Sequence, residues 1–161
     1  MDAKIKTLEE LKGIVEELRS QGKKIVWTNG CFDILHKAHI ALFREASKLG
    51  DTLVVGLNSD ESVRKLKGPT RPINSQDSRA EVLAALAPIH YVTIFNELTV
   101  KNCLSVLKPH IFAKGEGWTI SSLDPGEKEA LEEYGGKIHI ISHGIKDSTT
   151  GIIEKIKDQA I

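Results

Sequence analysis

With 161 residues, 40% hydrophobic and 27% charged, the chain has the size and balance of one ordinary globular domain with a single core. Lys plus Arg and Asp plus Glu are both 22, and this zero net charge argues against a general binder of nucleic acid or membrane surface. No apolar run nears the roughly 20 residues of a membrane span, the N-terminal MDAKIKTLEELKGIVEEL lacks a signal peptide's apolar segment, and Cys31 and Cys103 form no paired motif, so a reduced, cytoplasmic setting is expected.

The first predicted element is a helix over Thr7 to Ser20. Thr7-Leu8-Glu9-Glu10 reads as a capping box, Leu8, Leu11, Val15 and Leu18 recur on one face, and Gly22 ends it. Ile25 to Trp27 is an apolar strand, after which the chain is expected to turn sharply through Thr28-Asn29-Gly30-Cys31. His36 and His39 follow, and Ile40, Leu42, Phe43 and Ala46 at helical spacing place His39 near a helix start. That helix runs to Leu49 and Gly50 closes it. Thr52 to Leu57 is apolar throughout, as a buried parallel strand would be. Asn58-Ser59-Asp60 can cap a short helix through Leu66, and Lys67 to Asn74 is a Pro/Gly loop placed to fold over a site. Ser75 to Ala87 reads as a helix anchored by Val82, Leu83 and Leu86. Tyr91 to Phe95 is the third strand, Thr99 to Leu107 a helix, and Ile111 to Ala113 the fourth strand. Asp124-Pro125 opens a helix that Gly135-Gly136 ends, Lys137 to Ile141 is the fifth strand, and Ser148 caps a last helix to about Gln159.

Alternating strands and helices predict an α/β fold, a Rossmann-like doubly wound five-stranded parallel sheet with helices on both faces. One domain is expected over residues 1–161, with residues 1–22 an N-terminal helix and 23–161 the catalytic core. In such sheets ligands bind beyond the carboxyl ends of the strands, so NGCFD, NSD, KGEGW and HGIKDSTT should gather at one edge.

A strand, a Gly-containing turn and a helix start make an anion site, because free backbone N–H groups and the helix dipole both favour phosphate. His36 and His39 at the same mouth add donors able to carry positive charge near neutral pH. Two other readings stay open: metal ligation with Asp33 or Cys31, and a purely structural capping role. Lys114 directly follows a strand, a natural place for a phosphate ligand, and Arg79 begins the apolar face of its helix, where charge is unexpected. Lys65, Lys67 and Arg71 are either a solvated basic loop or part of the site. Ser148-Thr149-Thr150 offers hydroxyls and N–H groups at a helix start, and Trp118 could stack on a base or plug its loop.

TNGCFDILHKAH, GDTLVVGLNSDESVRKLKGPTRPIN, SRAEVLAALAPIHYV, EEYGGKI and STTGIIEKI stand in the order and spacing of a known family. With them the chain resembles the nucleotidyltransferases with a His-x-Gly-His signature, closest to the adenylyltransferase domain of the bifunctional enzyme that makes ADP-heptose for lipopolysaccharide. The resemblance implies a standalone transferase that joins ATP and heptose 1-phosphate, with Mg²⁺ held mainly by phosphates and a homodimer as the assembly. It carries catalytic roles to His36, His39 and Lys114, and nucleotide binding to Thr28, Asn29, Gly30, Cys31, Phe32, Gly115, Ser148, Thr149 and Thr150 as well. Asp33, Asn58, Lys67, Arg71, Arg79, Glu116 and Trp118 are the residues expected to line the sugar-phosphate side. Ala38 replaces the glycine between the histidines, and Lys114-Gly115-Glu116-Gly117-Trp118 replaces Lys-Gly-Gly-Asp-Tyr, which suggests that Glu116 takes over recognition from the missing Asp. Two rivals remain: a cytidylyltransferase using CTP and glycerol 3-phosphate or another polyol phosphate, and a nucleotide-binding domain without catalysis.

Overall fold

Five strands, β1 (Ile25–Gly30), β2 (Thr52–Asn58), β3 (Tyr91–Phe95), β4 (Ile111–Lys114) and β5 (Lys137–Ile140), form one parallel sheet ordered β3-β2-β1-β4-β5. The structure is a computed structural model and describes residues 2–160. The helices are α1 (Leu8–Ser20), α2 (Lys37–Ser47), α3 (Asp60–Lys67), α4 (Gln76–Ala84), α5 (Lys101–Leu107), α6 (Pro125–Tyr134) and α7 (Thr149–Gln159), with a 3-10 turn at Ile120–Ser122.

Strand alternation divides the core between the two faces of the sheet. On β1, Val26 joins Phe43, Leu53, Val55, Leu57, Leu83 and Val92 on one face. Ile25 and Trp27 join Leu11, Val15, Val54, Leu104, Phe112 and Leu131 on the other. Strand order reverses about β1, which has β2 on one side and β4 on the other. A crevice therefore opens beyond the carboxyl ends of β1 and β4, where a ligand of this architecture binds.

Local chemistry sets most boundaries. Thr7 and Glu10 form the capping box of α1, Asp124 accepts from Gly126 and Glu127 at the start of α6, and Gly135 ends α6 in the left-handed region. Three expectations need correction. β1 continues to Gly30 instead of turning at Thr28, because Thr28, Asn29 and Gly30 stay in register with Val55, Gly56 and Leu57 of β2. α4 stops at Ala84, three residues before Ala87. Val82 is not an anchor of α4: it is 51% exposed, while Arg79, Ala80, Leu83 and Ala84 form the buried face.

The amino edge of the sheet is closed by two histidines. His110 Nδ1 accepts the N–H of Ile25 at 2.9 Å, and His90 Nδ1 accepts that of Leu53 at 3.1 Å. Each histidine caps the first free donor of a neighbouring strand.

Candidate active site

At the other edge, the turn from β1 into α2 begins with Gly30. A Cβ there would meet the Phe32 ring at 2.9 Å, so only glycine lets the ring fold back over the strand end. Phe32 sits at φ +43°, an uncommon conformation for a side-chain-bearing residue, and its ring lies 5.2 Å from His39 and 5.0 Å from Phe43. The turn then delivers His36 as the N-cap of α2. No side chain caps this helix, whereas Thr7, Ser59, Ser75, Asp124 and Ser148 cap α1, α3, α4, α6 and α7. The first N–H groups of α2 thus have no side-chain acceptor, at the positive end of the helix dipole.

His36 and His39 stack, with ring centroids 3.7 Å apart and planes inclined by 25°. Among the described residues, seven buried side-chain nitrogen or oxygen atoms lack a hydrogen-bond partner. Four of them are Thr28 Oγ1, Asn29 Oδ1, His36 Nδ1 and His39 Nδ1. Unsatisfied buried groups are rare in native folds, so their concentration in one short stretch marks a ligand site. Burial, reinforced by His36, pushes His39 down to about 4. Burial also lowers His36, with His143 adding to the effect and Asp147 opposing it. The positive charge near neutral pH expected from the residue type is therefore corrected: taking both imidazoles out of water disfavours the cation.

Asp33 and Arg79 lock the turn to its surroundings. The Asp33 carboxylate accepts from the N–H groups of Ile73 and Asn74 and from Arg71 Nε at 2.8 Å. Burial alone would raise its pKa, but those bonds outweigh burial and hold it below the usual range. Arg79, 2% exposed, donates to the carbonyls of Asn74, Cys31 and Asn58 and to Asp60 Oδ1. Arg71 and Asp33 thus face each other, while Arg79 faces backbone carbonyls and Asp60. The Asn58 side chain donates to Ser62 Oγ. Cys31 is half-buried, and burial raises its thiol pKa. Lys67 stays exposed at the end of α3. The 71–74 half of the Pro/Gly loop is consequently tied to the β1 turn.

Lys114 ends β4, is 5% exposed, and its Nζ lies 4.7 Å from the Phe112 centroid and 4.1 Å from that of Trp118. Phe112, two residues earlier on the same strand face, was legible only through that two-residue period. The Glu116 side chain is partly exposed. Its carboxylate accepts from the N–H groups of His143 and Gly144 and from Ser142 Oγ, which couples the loop after β4 to the loop after β5. Nothing local in the sequence announces Ser142, His143 and Gly144 as partners. Gly115 opens that loop and its carbonyl accepts the Trp118 N–H. Gly117, which stands where the resembled family has Asp, lies at φ +93° with open space around it, so a side chain there would strain the backbone. At the α7 start, Ser148 Oγ caps through Gly151 N–H and Thr149 Oγ1 donates to the Ile34 carbonyl, fastening α7 to the β1 turn. Thr150 is exposed beside them.

Residues 27–155 match the sequence profile of the family described as cytidylyltransferase-like. The chain is 47% identical over 155 residues to the bifunctional protein HldE of Geobacter metallireducens, covering 96% of this chain and 31% of that protein. It is 45% identical over 155 residues to the protein of the same description from Geobacter sulfurreducens, again 96% and 31%. The chain thus spans about a third of the length of these curated relatives. Among solved structures, the lipopolysaccharide core biosynthesis protein from Thermoplasma volcanium GSS1 superposes with a TM-score of 0.63 at 28% identity, over 78% of this chain and 100% of that one. A pantoate-beta-alanine ligase from Francisella tularensis shares the fold, with a TM-score of 0.60 at 17% identity over 98% of this chain and 78% of that one.

Proposed function

The chain belongs to the cytidylyltransferase-like family, and we propose that it transfers the nucleoside monophosphate of ATP to D-glycero-beta-D-manno-heptose 1-phosphate, releasing pyrophosphate and giving ADP-heptose. The carrying observation is the start of α2: a helix N-terminus without a side-chain cap, flanked by two stacked histidines whose Nδ1 atoms are buried and unpartnered. That arrangement invites an anion, and the family match and the heptose-enzyme resemblance name the reaction. A phosphate oxygen of the sugar attacks the α-phosphorus in line, and the bond from that phosphorus to pyrophosphate breaks. The nucleophile is already ionised, so no general base is required, and catalysis is positioning plus charge stabilisation. The α2 N–H groups and the Lys114 ammonium supply the positive field, and His36 and His39 add imidazole hydrogen-bond donors. Thr28, Asn29, Gly30, Phe32 and the Ser148 to Thr150 helix start cradle the nucleotide. Lys67 serves the sugar-phosphate side, while Asp33, Arg71 and Arg79 keep that wall in shape.

Among the described residues no three His, Cys, Asp or Glu side chains converge as a metal cage, and the Asp33 carboxylate is held by the 71–74 loop. The Mg²⁺ implied by the family would be held mainly by the nucleotide's phosphates. A homodimer is part of the proposal, checked by light scattering. No described helix is long and apolar enough to cross a membrane.

The test is a pyrophosphate-release screen over four nucleoside triphosphates and a panel of sugar and polyol phosphates. Release with ATP and the heptose phosphate is expected. Release with CTP and glycerol 3-phosphate would instead support the cytidylyl transfer that the family description names. Binding of nucleotide with no release for any pair would leave a binding domain.

A further inference from the structure

Lys114 is an unusual lysine. It is 5% exposed, yet among the described residues its ammonium has no carboxylate partner and no hydrogen-bond acceptor. The acidic group that acts on it is Glu127, whose Oε1 is engaged by the Val100 N–H at 3.0 Å. Burial pulls the Lys114 pKa below its ordinary value and Glu127 opposes this. What lies over the ammonium is aromatic: the Trp118 ring at 4.1 Å and the Phe112 ring at 4.7 Å.

We propose that Trp118 is the positioning residue for Lys114, holding its ammonium at the carboxyl end of β4 through the indole face. A carboxylate in the same place would neutralise the lysine and compete with any incoming phosphate. An aromatic face attracts a cation through its quadrupole but leaves the net charge and the N–H donors available. Phe112 is fixed in the core, so the adjustable partner is Trp118, which is 45% exposed and lies on the loop. That loop is built to keep the indole there. Gly117 at φ +93° makes the bend, the Trp118 N–H closes it onto the Gly115 carbonyl at 3.4 Å, and Glu116 fastens it to Ser142, His143 and Gly144. The half-exposed tryptophan thus has a task beyond filling space: it aims a charge that the strand delivers unpaired.

This inference rests on Lys114 meeting a nucleotide phosphate, as the proposed function requires. The experiment compares Trp118→Phe with Trp118→Leu in the whole chain, after thermal melts confirm that both fold. Phenylalanine keeps an aromatic face and leucine keeps only apolar bulk. The first readout needs no turnover: the Lys114 ε-methylene proton resonances, assigned through Lys114→Arg, are expected upfield under the rings. They should stay upfield in Trp118→Phe and move downfield in Trp118→Leu. The second readout is pyrophosphate release, in which Trp118→Leu should raise the nucleotide KM roughly tenfold while Trp118→Phe stays within about threefold of the parent. Equal KM values for the two variants, or a Lys114 resonance indifferent to both, would overturn the proposal. A parent protein that releases no pyrophosphate with any substrate would sink the proposed function, and the resonance arm would still decide whether Trp118 holds Lys114.

Discussion

The two edges of the sheet use the same side chain in opposite ways. At the amino edge, His90 and His110 turn Nδ1 to the N–H groups of Leu53 and Ile25 and are satisfied. At the carboxyl edge, His36 and His39 stack on each other, with both Nδ1 atoms buried and without partners. All four are pushed below the ordinary histidine range by burial first. Lys4 adds to this at His90, Arg19 and Lys24 at His110, and neighbouring histidines at the other pair. The pKa direction alone therefore does not tell a structural histidine from a functional one. The difference lies in whether the fold has already supplied the hydrogen bond. Where it has, the residue holds the sheet together. Where it has not, the polar group waits for something from outside the chain.

The sharpest way to break this comparison is to delete each pair. His36→Ala and His39→Ala are each expected to lower kcat by roughly 10²-fold or more, with a much smaller change in nucleotide affinity, because the pair is proposed to stabilise charge that develops during transfer. His90→Ala and His110→Ala should leave kcat within about twofold of the parent. Pyrophosphate-release kinetics on the four variants measure this. Near-parental kcat in either carboxyl-edge variant would remove those histidines from the mechanism.

Arg79 tests whether geography alone explains the contrast. It lies at the carboxyl edge but is fully partnered, so it should behave like an amino-edge residue. Arg79→Met leaves three carbonyls and Asp60 without their donor, and a loss of about 2–4 kcal/mol is expected in urea unfolding. Arg79→Lys should recover only part of it, since one ammonium cannot span four acceptors in fixed directions. A stable Arg79→Met with reduced turnover would show that the guanidinium meets substrate instead.

The amino-edge histidines carry the next smaller effect. His110→Ala and His90→Ala each strip a strand N–H of its acceptor, which should lower stability by about 1–2 kcal/mol, and the double variant should show near-additive losses. Unchanged melting would mean that water replaces the imidazole without loss.

What could be read from the sequence divides along the same line. Capping boxes, Pro at a first helical turn and Gly at helix ends are local, so α1, α6 and α7 begin, and α6 ends, close to where Thr7, Asp124-Pro125, Ser148 and Gly135 place them. The parallel sheet and its ligand edge follow from alternation of elements. The clamp of Arg79 is different: it joins residues 21 and 48 positions apart, and nothing near Arg79 names Asn58 or Cys31 as its acceptors. The far end of β1 is hidden in the sequence because Asn29 and Gly30 are poor strand formers, a preference that pairing with β2 overrides. The lowered pKa of the two site histidines is invisible in the sequence for the same reason, since burial is a tertiary quantity. Glu116 is another case: its carboxylate meets a loop 26 to 28 residues later, partners that no local reading names.

The last prediction separates the two histidine pairs by protonation instead of deletion. In the folded chain all four pKa values lie below the unfolded value of about 6.5, so the unfolded chain binds more protons on the acid side of neutrality. Their contribution to stability is complete above about pH 7 and is lost as pH falls through 6.5 toward the folded values, which for His39 is about 4. This sign is common to both edges and does not discriminate. An anion does. Pyrophosphate beside His36 and His39 would favour their imidazolium forms and raise both pKa values, so binding takes up protons and tightens as pH falls below 6 toward the free values, which for His39 is about 4. His90 and His110 accept strand N–H groups only while Nδ1 is unprotonated, and no anion is expected near them. Following the four imidazole Cε1 proton resonances against pH, with and without saturating pyrophosphate, should show a rise of about one unit, worth roughly 1.4 kcal/mol, at His36 and His39 and none at the other two. Equal shifts at all four would point to a global change of conformation, and the edges would no longer differ. No shift at any of them would mean that the phosphate lies elsewhere, and the unpartnered Nδ1 atoms would need another explanation.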